Sequence, residues 1–334
     1  MDFAGSSLGS IEDRDGTAPG KEALSAPSDN FRLHEELCAK FAAASFGDRA
    51  FFLPAEAEAW RCAVETIRLY HRIAGRPRRR RLLVCVGQAE AGAGPPPGLE
   101  GDEEVALLRT DAPGAVLTEI DNRTAGIVIA PVLTQRGFHV LPGEHLVRLR
   151  EIADEYGLIL VFDESFCGFG RSGMLWAHEW TGVTPDAMIV VHRPDTGSPL
   201  AVLIVTQRVA RGAPGSRPLL DREALQTAHV LMDALTEPDF LDRVQSRSWR
   251  LEDRLRALIS MRPEALSAMS GLGLMQGLTC VGEAEPLRAR LAEHGLLTRA
   301  MGSVLGLFPP LTVEESAIDA AVSIIGAACA QDKP

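Results

Sequence analysis

The chain has 334 residues, 46% of them hydrophobic, which is enough for one large domain with a sizeable core and a smaller second domain. Its formal net charge of −11 excludes nucleic acid as a partner, because binding to phosphates needs a basic surface. No apolar run approaches the ~20 residues of a membrane-spanning helix, and no signal peptide pattern opens the chain, so we expect no membrane partner.

The N-terminal part of the sequence changes from a tail to regular elements near residue 30. Residues 1–30 are rich in Gly, Ser, Asp and Pro without periodicity, which predicts a flexible tail. A helical pattern covers Phe31–Ala44, followed by a short strand at Ala50–Leu53 and a long helix over Glu56–Ile73. The basic run Arg76–Arg81 then joins this helix to a strand. It is interpreted as a solvated loop, with a docking patch for an acidic partner as the alternative.

Apolar runs of strand length alternate with helical or loop segments in the middle of the chain. Besides Ala50–Leu53, the predicted strands are Leu82–Gly87, Val105–Thr110, Gly126–Pro131, Leu158–Asp163, Ala187–His192 and Leu200–Thr206. The intervening segment Gly143–Tyr156 has Leu146, Leu149 and Ile152 on one face, which predicts an amphipathic helix. Near-continuous apolar strands between helices are typical of a mostly parallel sheet covered on both faces. We therefore predict an α/β fold with a seven-stranded, mostly parallel sheet.

The sequence changes character after Thr206. A linker rich in Gly, Pro and Arg covers Arg211–Pro218, and a long helical stretch runs over Arg222–Ile259. Short α+β elements are predicted after it, at Gly273–Val281, Ala284–His294, Val304–Pro310 and from Glu314 onward. We therefore expect a tail over 1–30, a large domain over 31–235 and a small C-terminal α+β domain over 236–334.

The cysteines indicate the cellular compartment of the protein, and the lysines limit which residues could form a Schiff base. The six cysteines are scattered without a CxxC pair, which predicts reduced thiols, a cytoplasmic location and no metal site. The only lysines are Lys21, Lys40 and Lys333. A Schiff-base mechanism in this chain therefore has three candidate amines.

The stretch Leu158–Val190 is similar to the signature of class III aminotransferases. Asp163 and Glu164 end a strand, the turn Gly168–Gly173 reads Gly-Phe-Gly-Arg-Ser-Gly, and Pro185 with Asp186 precedes the next strand. Four further segments resemble the same family, namely Phe51–Ala59, Ala125–Gly137, Gly271–Gly277 and Phe308–Leu311. The resemblance covers residues 33–330 and implies the fold-type I architecture of acetylornithine/ornithine-type aminotransferases.

The family resemblance implies pyridoxal phosphate as cofactor, and several positions that would hold it carry other residues. The lysine position falls on His192, and imidazole does not form the internal aldimine. In the segment aligned with the phosphate-binding helix start, Pro54 removes an N–H donor and Glu56 adds a negative charge. Other replaced family positions are Ala89, Phe166, Arg217, Ser270 and Gly306. These losses predict a degenerate family member that lacks the lysine and binds no pyridoxal phosphate.

Three residues are candidate catalytic groups. Asp163 matches the family's partner of the pyridine nitrogen, and its alternative role is a turn or helix-cap acceptor. His192 is a candidate general base because its ordinary pKa suits proton transfer near neutral pH, and a structural hydrogen bond is its alternative role. Glu164 completes the acid–base set, with a structural ion pair as the alternative.

Three functional hypotheses follow from the resemblance and the losses. The first is an aminotransferase-like pseudoenzyme that acts as a scaffold or as the inactive partner of an active homologue. The second is a repurposed, cofactor-free enzyme acting on an amine or carbonyl substrate in a biosynthetic pathway. The third is a protein that binds pyridoxal phosphate without an internal aldimine. We expect a homodimer or heterodimer in each case, with a small molecule as the ligand of the vestigial pocket.

Overall fold

The computed structural model describes residues 1, 27–86, 94–110, 112–134, 137–193, 199–213 and 220–330. The helices among them are α1 (Pro27–Ala43), α2 (Glu56–Ile73), α3 (Pro113–Thr118), α4 (Gly143–Tyr156), α5 (Gln207–Ala210), α6 (Arg222–Leu235), α7 (Phe240–Met261), α8 (Ala284–Glu293) and α9 (Glu315–Cys329). Most of the predicted tail and the middle of the predicted linker lie outside the described residues. None of the helices in the described ranges is both long and apolar enough to span a bilayer.

The large domain is built on a seven-stranded sheet in the order β1-β9-β8-β7-β4-β2-β3. The first nine strands are β1 (Arg49–Leu53), β2 (Arg81–Cys85), β3 (Val105–Leu108), β4 (Thr124–Ile129), β5 (Val132–Leu133), β6 (His139–Val140), β7 (Ile159–Glu164), β8 (Ala187–His192) and β9 (Leu200–Val205). Only β9 runs against its neighbours in this sheet, so the carboxyl ends of β1, β2, β4, β7 and β8 meet at one edge. The predicted seven-stranded, mostly parallel sheet is confirmed.

Helices cover both faces of this sheet. Helices α2 and α5 pack on one face, and α1 and α4 pack on the other. Every residue of β4, β8 and β9 is buried, which explains why these strands read as continuous apolar runs instead of alternating ones. The covered sheet fixes the positions of the strand ends, where ligands bind in open α/β folds.

A second, antiparallel sheet forms the core of the small domain, in the order β10-β11-β13-β12. Its strands are β10 (Leu266–Leu272), β11 (Met275–Cys280), β12 (Arg299–Met301) and β13 (Val304–Leu307). Helix α7 packs on β10, and α8 packs on β12 and β13. The sequence did not reveal β10, because most of its side chains are small or half-exposed and form no apolar run.

The predicted single helix over 222–259 is wrong, since α6 ends at Leu235 and α7 begins at Phe240. The break contains Pro238, which has no N–H to donate to the preceding turn. Asp239 follows it with φ 64°, a left-handed conformation that no helix interior tolerates. The chain therefore turns between the two helices, and α7 begins in a new direction.

Candidate functional site

A small cavity lies at the carboxyl ends of β2, β4 and β7. Its volume is about 260 Å³, and its walls are mostly apolar. The apolar lining comes from Val84, Cys85, Val86, Pro95, Pro96, Pro97, Val128, Ile129, Ala130, Val132, Leu133 and Phe166. Two carboxylates, those of Glu56 and Asp163, also face this space. We call it the strand-end cavity.

Asp163 is the acidic group at the end of β7 in the strand-end cavity. Its Oδ1 accepts hydrogen bonds from the backbone N–H of Ser165, at 3.0 Å, and from the Ser165 hydroxyl. Burial and, to a smaller extent, the nearby Glu56 raise the pKa of Asp163 to about 6, against the opposing effect of the Ser165 hydrogen bonds and Arg193. The carboxyl therefore changes its protonation state close to neutral pH.

The second carboxylate, Glu56, is held by an ion pair with Arg193. The guanidinium of Arg193 also donates to the carbonyl oxygen of Ser165, at 3.0 Å, and lies 5.0 Å from the centroid of the Phe166 ring. We did not predict this pair from the sequence. A signal for it exists, because β1 and β8 end at the same sheet edge and opposite charges follow their ends.

Glu164 faces away from the cavity and is only 1% exposed. Its carboxylate accepts from the backbone N–H groups of Ala177 and His178, at 2.6 and 2.9 Å. The Nδ1 atom of His178 lies 2.8 Å from the same carboxylate. These contacts anchor the 3₁₀ turn Ala177–Trp180 to the end of β7, which matches the structural alternative for Glu164.

His192 ends β8 and is buried, with 5% of its surface exposed. Its ring centroid lies 6.2 Å from that of Phe169. Strand alternation places His192 on the face of Met188 and Val190, whereas Asp163 shares the opposite face with Val161. The structure therefore does not bring Asp163, Glu164 and His192 together in one cavity, and a joint acid–base role stays a prediction.

Comparison with known proteins decides the family. Residues 100–329 match the family described as aminotransferase class-III. The chain is 33% identical over 307 residues to an acetylornithine aminotransferase of Mesorhizobium japonicum, covering 85% of this chain and 75% of the relative. The chain belongs to the class III aminotransferase family. A second relative, the acetylornithine aminotransferase of Brucella suis, is 31% identical over 86% of this chain and 75% of its own length.

Solved structures show the same fold. The N-acetylornithine aminotransferase from Stenotrophomonas maltophilia superposes with a TM-score of 0.77 at 24% identity, over 92% of this chain and 80% of that one. The acetylornithine aminotransferase from Elizabethkingia anophelis gives a TM-score of 0.79 at 19% identity, over 93% and 82% of the two chains. These similarities confirm the fold-type I architecture.

Family membership corrects the functional predictions made from the sequence. The pseudoenzyme scaffold, the cofactor-free enzyme and the passive pyridoxal phosphate binder are contradicted, because the relatives that match most of the chain carry the name of a working aminotransferase. The prediction that no pyridoxal phosphate is used is wrong for the same reason, since the family depends on this cofactor. The error came from counting lost side chains alone. A cofactor cavity also consists of apolar walls and a strand-end carboxylate, and both are present here.

The residues of the strand-end cavity fit one end of pyridoxal phosphate better than the other. Asp163 and the apolar wall around Val132 fit the pyridine ring, whose nitrogen pairs with a carboxylate in such sites. The other two ends of the cofactor fit less well. Among the described residues no lysine lines the cavity to form a Schiff base with the aldehyde, and the carboxylate of Glu56 has the same sign of charge as the phosphate. Lys40 pairs with Asp233 instead. The family positions Ala89 and Arg217 lie outside the described residues.

Proposed function

We propose that this protein recognises the terminal amino group of an acetylornithine-type amino acid in the strand-end cavity, as part of the amino-group chemistry of its family. The observation that carries the proposal is the pair of carboxylates, Glu56 and Asp163, facing a largely apolar space. An ammonium group is the natural partner of a half-buried carboxylate, and the apolar wall suits the methylene chain that carries it.

Two further facts support this choice of ligand. The relatives that match most of the chain are named after acetylornithine, whose side chain ends in a primary amine. The cavity of about 260 Å³ is smaller than the ~300–1,000 Å³ typical of sites for drug-sized molecules, so it suits a small amino acid. Arg193 holds Glu56 in an ion pair, so in the protein without bound pyridoxal phosphate Asp163 is the direct partner of the amine.

Asp163→Asn is expected to weaken binding of N-acetylornithine at least about tenfold, because a charge-assisted hydrogen bond becomes a neutral one. Titration calorimetry on the full chain without added pyridoxal phosphate measures this loss, with N-acetylnorvaline as the matched ligand that lacks the amino group. Asp253→Asn, on the exposed face of α7, serves as the control and should bind like the wild type. Equal affinity for N-acetylornithine and N-acetylnorvaline would rule out recognition of the amine.

Binding of the amine should strengthen as the pH rises from 5 to 7.5. Burial raises the pKa of Asp163 to about 6, so below that value the carboxyl is largely protonated and offers no charge to an ammonium group. Above pH 6 the ionised form dominates, and binding at lower pH releases a proton. Calorimetry in buffers of different ionisation enthalpy measures that proton. A flat pH profile in the wild type, or the same slope in Asp163→Asn, would contradict this role.

We also propose that this family member lacks the Schiff-base lysine and that His192 takes its position. The support is the spacing from Pro185 and Asp186 through β8, which places His192 at the end of that strand. Lys40 is the only lysine in the described ranges, and it lies on α1.

His192→Lys is expected to gain covalent labelling at residue 192 when pyridoxal phosphate is added and reduced with borohydride. A lysine amine is the group that forms the reducible aldimine, and imidazole does not. Peptide mass spectrometry locates the label. Glu56→Gly/His192→Lys should label more strongly, since it also removes the carboxylate at the start of α2. Val191→Lys, one residue earlier on the opposite face, is the matched control. Labelling of Val191→Lys but not of His192→Lys would show that the positions were assigned wrongly.

A further inference from the structure

A second concave site lies along α2 and shares no lining residue with the strand-end cavity. This cleft has a volume of about 430 Å³ and opens between α2 and the loop that precedes β3. Four arginines line it, Arg61, Arg68, Arg72 and Arg80, and two carboxylates, Glu65 and Asp102. We call it the arginine cleft. Its positive lining contrasts with the net charge of −11 of the whole chain.

Two of the four arginines, Arg61 and Arg68, form ion pairs with neighbouring carboxylates. Arg68 donates from Nη1 and Nη2 to the two oxygens of Asp102, both at 2.9 Å, and from Nε to the carbonyl oxygen of Arg80 at 3.0 Å. These bonds lower the pKa of Asp102 and keep its carboxylate charged. Arg61 pairs with Glu58 at the other end of the cleft.

The other two arginines carry charge that the described part of the chain does not neutralise by contact. Arg72 and Arg80 are exposed, and neither forms an ion pair with a carboxylate within the described ranges. They come from different elements, the last turn of α2 and the segment before β2. Both residues nevertheless line the same cleft, so an anion placed there is within reach of two cationic side chains.

The surroundings of the arginine cleft add to its positive potential. The basic run continues beside it, where Arg79 donates to the carbonyl oxygens of Tyr156 and Gly157. Burial lowers the pKa of His71, and the cations Arg79, Arg76 and Arg208 lower it further. Within the basic run Arg76–Arg81, Arg79 therefore makes structural hydrogen bonds, whereas Arg80 lines the cleft.

We propose that the arginine cleft binds a small, hydroxyl-bearing phosphate ester, with the phosphate between Arg72 and Arg80. Arginine is the residue best suited to a phosphate, because its planar fork offers two parallel N–H donors to two oxygens. The carboxylates of Glu65 and Asp102 lie in the same wall, where hydroxyl groups of the ester would donate to them. A cleft of about 430 Å³ falls within the ~300–1,000 Å³ range of small-molecule sites.

The test uses the full chain, low salt and calorimetric titration with ribose 5-phosphate, inorganic phosphate and citrate. We expect ribose 5-phosphate to bind more tightly than inorganic phosphate, and citrate to bind least. Arg72→Gln/Arg80→Gln should lose at least about tenfold in affinity, because two charge-assisted contacts disappear. Arg148→Gln/Arg256→Gln removes the same charge from exposed parts of α4 and α7 and should bind normally.

Three results would overturn the proposal: no binding of either phosphate compound to the wild type, citrate binding as tightly as ribose 5-phosphate, or equal weakening in both double variants. Arg72→Lys/Arg80→Lys keeps the charge without the fork and should fall between the wild type and the glutamine variant. Binding of N-acetylornithine should be unchanged in all of these variants. The outcome here and the outcome for the strand-end cavity are therefore independent.

Discussion

Replacing Glu164 by alanine should destabilise the protein by about 3–5 kcal/mol, the range for removing one partner from a buried charged network. Its carboxylate serves the backbone N–H groups of Ala177 and His178 and the His178 side chain, in a site that is 1% exposed. Alanine leaves these donors without their acceptor and without access to water. Chemical denaturation at pH 7 measures the loss as a lower midpoint at an unchanged slope.

Two controls separate this network from a general effect of losing a carboxylate. Glu164→Gln keeps one acceptor oxygen and should destabilise the protein less than alanine does. Some loss of stability remains, because the NH2 group of the glutamine faces an N–H donor that the carboxylate had accepted from. Glu155→Ala, on the exposed side of α4, should change stability by less than about 0.5 kcal/mol. A stability of Glu164→Ala within that margin of the wild type would show that the turn at Ala177–Trp180 is held by other contacts.

Arg171→Ala should cost about 3 kcal/mol and loosen the small domain, because its buried guanidinium joins the turn that follows β7 to the small domain. Arg171 is 6% exposed and donates to the carbonyl oxygens of Leu274 and Pro309, at 3.2 and 3.0 Å. Burial lowers the pKa of Arg171 to about 10, which still leaves it charged at neutral pH. Its backbone carbonyl also accepts from the N–H of Leu274.

Hydrogen exchange tests this role of Arg171 directly. Amides of β10 and β11 should exchange faster in Arg171→Ala, while those of β4 and β8 keep their protection. Gly273→Ala is a second variant at the same junction, since Gly273 has a positive φ and an added Cβ would lie 2.3 Å from the Arg171 carbonyl oxygen. Arg148→Ala, on exposed α4, is the control for loss of an arginine. Unchanged exchange in β10 and β11 would mean that the junction does not depend on this side chain.

The sequence predicted the large sheet well because its strands are buried on both faces. Continuous apolar runs separated by helices predict a mostly parallel sheet covered on both faces, and β8 was predicted at its observed bounds, Ala187–His192. The failures have local causes. Pro238 and Asp239 break a pattern that otherwise stays helical, and β10 carries too few apolar side chains to register as a strand.

The candidate site was predicted less well, because side-chain direction and tertiary pairing are not visible in a linear pattern. Asp163 was correctly placed at a strand end, but the period of two in β7 and β8 directs Glu164 and His192 to the other face. The Glu56–Arg193 pair joins residues that are far apart in sequence. The functional error had a different origin, since the replaced cofactor positions were given more weight than the family resemblance over residues 33–330.

The position of β1 at the sheet edge affects how this chain folds during synthesis. Within the part of the chain that the structure describes, strand β1 pairs only with β9, and about 150 residues separate Arg49 from its partner Val205. A ribosome adds ~5–20 residues per second, so β9 is synthesised many seconds after β1. During that time Phe51 and Phe52 have no partner strand. An unpaired strand with two phenylalanines is prone to pair with other chains. The large domain should therefore need protection by a chaperone until β9 has left the ribosome, and slow closure of this long loop should limit its folding rate.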